Sequence, residues 1–210
     1  MAIFTRGILG PFSGKVGAIV GATWKGKSVL RSAPKKSTKP PSALQLLSRK
    51  EFQVTERFLN PLSAWIDMSY SIDPPDMTKR NLAPSYHKKH ALLITGDMVA
   101  IDYPKALVSM GELRAIDVTA ASITGENALA LSWVDNSNEG LADPGDLLLV
   151  VLYAPATHQY YFSQDAATRQ DGSVVLPLPA SFSGLELHCW AGFRDAVTGI
   201  TADSRYVFLG

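Results

Sequence analysis

From about residue 103 to residue 210 the chain alternates short apolar runs with turn residues, and no helical period separates them. The runs are Ala106–Ser109, Ala128–Trp133, Asp146–Tyr153, Gln159–Ser163, Ser173–Leu176, Glu186–Phe193 and Arg205–Leu209. Turn signals lie between them: Asp143-Pro144-Gly145, Asp171-Gly172, Ser183-Gly184 and Thr198-Gly199. Strands this short, this regular and uninterrupted by helices predict an antiparallel β-sandwich of immunoglobulin-like type. Trp133, Leu148, Val150, Leu187, Trp190, Phe193 and Val207 are its expected core. Cys189 is the only cysteine, so the cysteine–tryptophan–cysteine pattern of antibody domains is absent. Neither a disulfide framework nor a thiolate metal cluster can form within one chain.

Upstream the reading changes. Ser42 followed by Gln45 is a capping box, and Leu44, Leu47, Phe52, Thr55, Leu59, Leu62 and Ile66 recur at roughly helical spacing. Asn60-Pro61 interrupts them, which predicts one helix over 42–59 and a short second one to about 68. A further helix is expected from Pro84 to Ile94, with Gly96 as its stop. Before the helices, Pro34 to Pro41 reads as an extended basic linker. Residues 1–33 are rich in glycine, and Lys15–Trp24 and Lys27–Ser32 read as two strands around a turn at Lys25-Gly26. The expected layout is mainly β with a small helical segment. It has a basic Gly-rich β-ribbon and linker over 1–41, helices over 42–102 and the sandwich over 103–210.

Charge divides the chain more sharply than composition does. The first 50 residues hold ten Lys and Arg and no Asp or Glu; the remaining 160 hold ten basic and all nineteen acidic residues. A segment so unbalanced calls for an anionic or carbonyl-rich partner, and the body of the same protein, in cis or in trans, is one such partner. A two-stranded ribbon is also marginal in water by itself. The N-terminus lacks the pattern of a secretory signal, and no apolar stretch approaches the roughly 20 residues of a membrane span. Synthesis in the cytoplasm is therefore expected, with an extracellular or virion-associated site still open.

Chemical motifs are few. Gly21-Ala22-Thr23-Trp24-Lys25-Gly26-Lys27-Ser28 matches the phosphate-loop string, but that loop needs a helix after it, and Pro34 closes a short β-like run. The match is expected to be a coincidence within a hairpin. His87 and His90 stand three apart, flanked by Lys88 and Lys89 that would repel a cation, and are expected on an exposed polar helix face. His188 and Cys189 adjoin on a strand and so point to opposite faces, which makes Cys189 a core thiol. Asp135, Glu139, Asp143 and Asp146 are expected to serve turns, with a calcium site as the alternative. No cofactor, metal or small-molecule substrate is expected.

The run Gly10-Pro11-Phe12-Ser13-Gly14-Lys15-Val16-Gly17, then Val20-Gly21, Trp24-Lys25-Gly26, Arg31-Ser32, Pro34-Lys35 and a Gln45…Arg49…Phe52 helix start, resembles an uncharacterised family of Bacteroidota proteins. Ser109-Met110-Gly111-Glu112-Leu113, the Asp146-to-Tyr153 strand, an Arg169 turn and Asp203-Ser204-Arg205-Tyr206-Val207 extend the resemblance through the C-terminal half. The sequence departs at Thr38 to Ser42, where that family more often has a Thr three residues before the Gln. The resemblance implies a bacterial or phage origin and a domain of unknown function, and it transfers no activity.

These readings favour a non-enzymatic structural protein that self-assembles as a filament, fibre or phage virion component. The expected assembly surface is Lys15, Val16, Ile19, Val20, Trp24, Lys25, Lys27, Val29, Arg31, Lys35 and Lys36, docking on a neighbouring copy by β-augmentation with charge guidance. One alternative is a nucleic-acid-binding coat or associated protein using the basic arm. Another is a carbohydrate- or surface-binding module with Trp133, Tyr160, Tyr161 or Trp190 as platforms.

Overall fold

The computed structural model describes residues 2–3, 12–24, 26–35, 38–75, 77–125 and 127–209. The chain divides into two compact units, Met1–Ser42 and Ala43–Gly210. Among the described residues no helix is long and apolar enough to cross a membrane.

In the first unit, β1 (Ala2–Ile3), β2 (Gly14–Val16), β3 (Ile19–Trp24) and β4 (Lys27–Ser32) form one antiparallel sheet in the order β1-β4-β3-β2. The sequence suggested a two-stranded ribbon with Lys15–Trp24 as one strand. The structure breaks that run at Gly17-Ala18. Val16 pairs with Ile19 across this two-residue turn, and Gly17 takes a φ of 58°, in the left-handed region that side chains disfavour.

The second unit begins with α1 (Ala43–Leu59), a 3₁₀ turn over Asn60–Leu62 and α2 (Ser63–Ser69), placed as the Asn60-Pro61 interruption predicts. Next comes α3 (Lys79–His90), which starts earlier than expected and carries Pro84 inside it. It also stops earlier. The following residues form a hairpin, β5 (Leu92–Thr95) and β6 (Met98–Ile101), with Gly96 in its turn. Gly96 ends a strand here, not a helix. The run Leu92-Leu93-Ile94-Thr95 suits a strand, and Gly-Asp is a two-residue hairpin signal.

The sandwich comprises β7 (Val118–Ile123), β8 (Ala128–Trp133), β9 (Leu147–Ala154), β10 (Gln159–Ser163), β11 (Ser173–Pro177), β12 (His188–Arg194) and β13 (Arg205–Val207). One sheet runs β11-β8-β7 and the other β10-β9-β12-β13, all antiparallel. Its first, second and fifth strands share one sheet and the rest share the other, a two-sheet antiparallel sandwich in which the fourth strand, β10, lies beside β9 and not, as in constant-type immunoglobulin domains, with the first, second and fifth. The expected strand at Ala106–Ser109 is absent. That segment is held by side chains: Tyr70 donates to the Leu107 carbonyl (2.9 Å), Ser69 to the Val108 carbonyl (2.8 Å), and the Val108 N–H to Ser204 Oγ (2.9 Å).

Two buried clusters hold this unit, and β9 belongs to both. Leu148, Val150, Leu152 and Ala154, with Phe193 of β12, point between the sheets, toward Leu129, Leu131 and Trp133. Leu149, Val151 and Tyr153 point the other way and, with Trp190 of β12, meet Phe58, Leu62, Ile66 and Tyr70 from the helical region. Trp190 therefore serves the helix-side core, not the inter-sheet core. Tyr160 of β10 donates its hydroxyl to the Phe58 carbonyl across that boundary (2.8 Å). The helical region is a third layer of this unit, not a body of its own.

Phe58, 3% exposed, touches His87, Tyr103, Tyr153, Tyr160 and Trp190 at ring distances of 5.7–6.1 Å. Replacing Phe58 by Ala should cost about 3–5 kcal/mol. Urea unfolding followed by helical circular dichroism and by tryptophan fluorescence should then shift together in one transition. Helical signal lost well before the β signal would refute a shared core.

Candidate functional site

Strand alternation and register sort the first sheet into two chemically different faces. Opposed residues share a face, and the pairs run Lys15↔Val20, Val20↔Arg31, Ala22↔Val29 and Trp24↔Lys27. One face thus carries Lys15, Val20, Ala22, Trp24, Lys27, Val29 and Arg31. The other carries Val16, Ile19, Gly21, Thr23, Ser28, Leu30 and Ser32, following Val16↔Ile19, Ile19↔Ser32, Gly21↔Leu30 and Thr23↔Ser28.

The first face is basic and partly aromatic. Lys15, Lys27 and Arg31 are exposed, and Trp24, 44% exposed, stands opposite Lys27 at the β3–β4 turn end of the face. Lys15 and Arg31 lie at opposite ends of one cross-strand row, about 10 Å apart, and Lys27 is roughly 13 Å from Arg31 along β4. The second face exposes an apolar pair, Val16 at 63% and Ile19 at 47%, together with the hydroxyl side chains Thr23 and Ser32, and Phe12 lies over it at Gly21. Among the described residues of this unit, Val29 is the one large apolar side chain that is buried.

The residues expected to form one assembly surface are therefore split. Lys15, Val20, Trp24, Lys27, Val29 and Arg31 come together; Val16 and Ile19 face the opposite way; Lys35 is exposed beyond β4. Lys25 and Lys36 lie outside the described residues. The two-residue turn at Gly17-Ala18 carries the signal for this split, because it resets the alternation. The phosphate-loop string spans β3, a turn and β4, so Lys27 and Ser28 open a strand and not the helix such a loop needs.

The candidate residues of the second unit have structural work. His87 is not on an exposed helix face. It is wholly buried, its Nδ1 donates to the Ala83 carbonyl (2.8 Å), and its Nε2 has no hydrogen-bond partner. Burial pushes its pKa down to about 4. His90 is exposed, so the two do not converge. Cys189 is buried and its thiol is pushed up to about 12. Trp133 and Trp190, 4% and 0% exposed, cannot present sugar platforms.

The acidic loop is a set of turns around one buried ion pair. Asp135 accepts the Ser137 N–H (3.0 Å), Asp143 the Gly145 N–H (2.8 Å), and Glu139 pairs with Arg114 (2.7 Å). Asp146 pairs with Arg169 (2.9 Å), both inaccessible to water. Arg169 also donates to Asn136 Oδ1 and to the Arg114 carbonyl, and its guanidinium lies 4.0 Å above the Phe193 ring. Among the described residues no group of three or more His, Cys, Asp or Glu could hold a metal ion.

Within the second unit, two of the segments that carry the family resemblance, 109–113 and 203–207, meet in space. Ser204 Oγ accepts the Val108 and Ser109 N–H groups (2.9 and 3.3 Å), Ser109 donates to the Ala202 carbonyl (2.8 Å), and Asp203 accepts the Gly111 N–H (3.0 Å). A Cβ on Gly111 would collide with the Thr201 carbonyl and Ser71 Oγ. The chain is thus a three-layer sandwich protein with a separate basic sheet. A model of the family of unknown function DUF6266 matches residues 11–208, and the chain belongs to that family. No curated protein and no solved structure matches it.

Arg169→Leu strands the Asp146 carboxylate in the core and should lower stability by about 3–5 kcal/mol, measured by urea unfolding; a loss below about 1 kcal/mol would refute the pairing. His87 gives a pH dependence. Its folded pKa lies below the unfolded value of about 6.5, so its contribution is full above pH 6.5 and is lost as pH falls toward 4. Wild type should lose about 3 kcal/mol more than His87→Leu between pH 7 and pH 4. Equal losses in the two proteins would count against a buried neutral imidazole.

Proposed function

We propose that this protein is a non-enzymatic structural protein that self-assembles, as a filament, fibre or virion component of a Bacteroidota bacterium or its phage, through the N-terminal sheet. The observation that carries this reading is an exposed apolar pair, Val16 and Ile19, at the β2–β3 end of a sheet with little buried apolar surface of its own. β2 is the edge strand of that sheet, so a neighbouring strand can add to it. The docking partner is another copy of the chain. Because Val16, Ile19 and Leu30 are uncharged, the contact tolerates salt, unlike an arm held by charge alone. A head-to-tail contact of this kind propagates unless its rotation closes.

Ile19→Asp places a charge in the proposed contact and should convert the assembled protein to a monomer by sedimentation velocity and negative-stain microscopy, with unchanged circular dichroism. Removing residues 1–42 should do the same. A wild-type protein that is monomeric at tens of micromolar, or a truncated one that still polymerises, would end the proposal.

A further inference from the structure

We infer that the opposite, basic face of the N-terminal sheet binds single-stranded nucleic acid. This goes beyond self-assembly and uses a different set of side chains. Lys15, Lys27 and Arg31 share the face with Trp24, and Met1–Ser42 contains eight Lys and Arg with no Asp or Glu. No carboxylate of this unit competes for those cations.

The body of a neighbouring copy is the weaker acidic partner. Among the described residues six of its nineteen carboxylates already pair with its own cations: Glu51 with Lys88, Asp67 with Arg80, Asp102 with Lys105, Asp117 and Glu139 with Arg114, and Asp146 with Arg169. Phosphates bring uncompensated charge. A base brings in addition a flat π-face for the Trp24 indole, which stands directly opposite Lys27. A duplex keeps those π-faces stacked inside, so the single strand is the form that uses the whole surface.

The test is binding of the full-length protein to a fluorescein-labelled oligothymidylate of twenty nucleotides, followed by anisotropy. Three neutralised phosphates predict a slope of log K against log salt near −2, roughly a 20-fold loss between 50 and 200 mM NaCl. Lys27→Ala and Arg31→Ala should each reduce that slope by about 0.7. Trp24→Ala should weaken binding roughly 5- to 150-fold. Trp24 is 44% exposed while Trp65, Trp133 and Trp190 are 8%, 4% and 0% exposed. Quenching of tryptophan emission by the oligonucleotide should therefore vanish in Trp24→Phe. Ile19→Asp should keep the binding while losing assembly, which separates this inference from the self-assembly reading. No binding at 50 mM salt would overturn it. So would equal competition by polyglutamate of the same charge, or a duplex bound as tightly with no contribution from Trp24.

Discussion

The central strands β9 and β12 of the sheet formed by β10, β9, β12 and β13 are buried on both faces, and the second unit depends on them. Without the outward row Leu149, Val151, Tyr153 and Trp190, the apolar stripe of α1 and α2 has nothing to cover it. Without the inward row Leu148, Val150, Leu152 and Phe193, the three-stranded sheet loses its partner. Each fully buried side chain of this size contributes roughly 1.5–3 kcal/mol, so the two rows together outweigh any surface ion pair in the molecule. The same double burial forbids polar residues at the centre of β9, and its eight residues Leu-Leu-Leu-Val-Val-Leu-Tyr-Ala contain none beyond the tyrosine hydroxyl.

Polar side chains fix what apolar packing leaves free. A sandwich core tolerates sliding between sheets, because apolar contacts are not directional. Arg169 has directional bonds to Asp146, Asn136 and the Arg114 carbonyl, and its own carbonyl accepts the Trp133 indole N–H at 2.8 Å. It therefore ties β8, the start of β9 and the loops around 114 and 136 into one arrangement. The contacts among Ser69, Ser71, Met110 and Thr201 join the end of α2 to the turn before β13 in the same manner. Asp146, Arg169 and Met110, which belong to the C-terminal half of the family resemblance, take part in these joints.

Much of this was legible in sequence, and the failures share physical causes. β8 and β10 stood out as short apolar runs between turns. β7, Val-Thr-Ala-Ala-Ser-Ile, did not, because small and hydroxyl side chains give little contrast between its faces. The unbroken apolar run of β9 identified a strand, while its lack of alternation, which marks burial on both sides, went unread. His87 looked exposed beside Lys88 and Lys89, yet helical spacing puts it on the inner side with Ala83, four residues earlier. On the first sheet the strands were legible and their faces were not. A strand drawn straight through Lys15–Trp24 gives the wrong parity on one side of Gly17-Ala18.

That parity changes the meaning of the charge division between the N-terminal segment and the body. A simple dipole would let the positive arm lie on any acidic neighbour. Among the described residues six of the body's nineteen carboxylates pair with its own Arg and Lys, at 2.5 to 3.1 Å. The N-terminal unit contains no Asp or Glu, and strand alternation separates Lys15, Lys27 and Arg31 from the apolar pair Val16 and Ile19. A surface that is apolar on one side and cationic on the other can take two different partners at once. An assembled array joined through the apolar side would repeat the cationic side at every subunit, and the salt-sensitive affinity of each site would add along a polyanion.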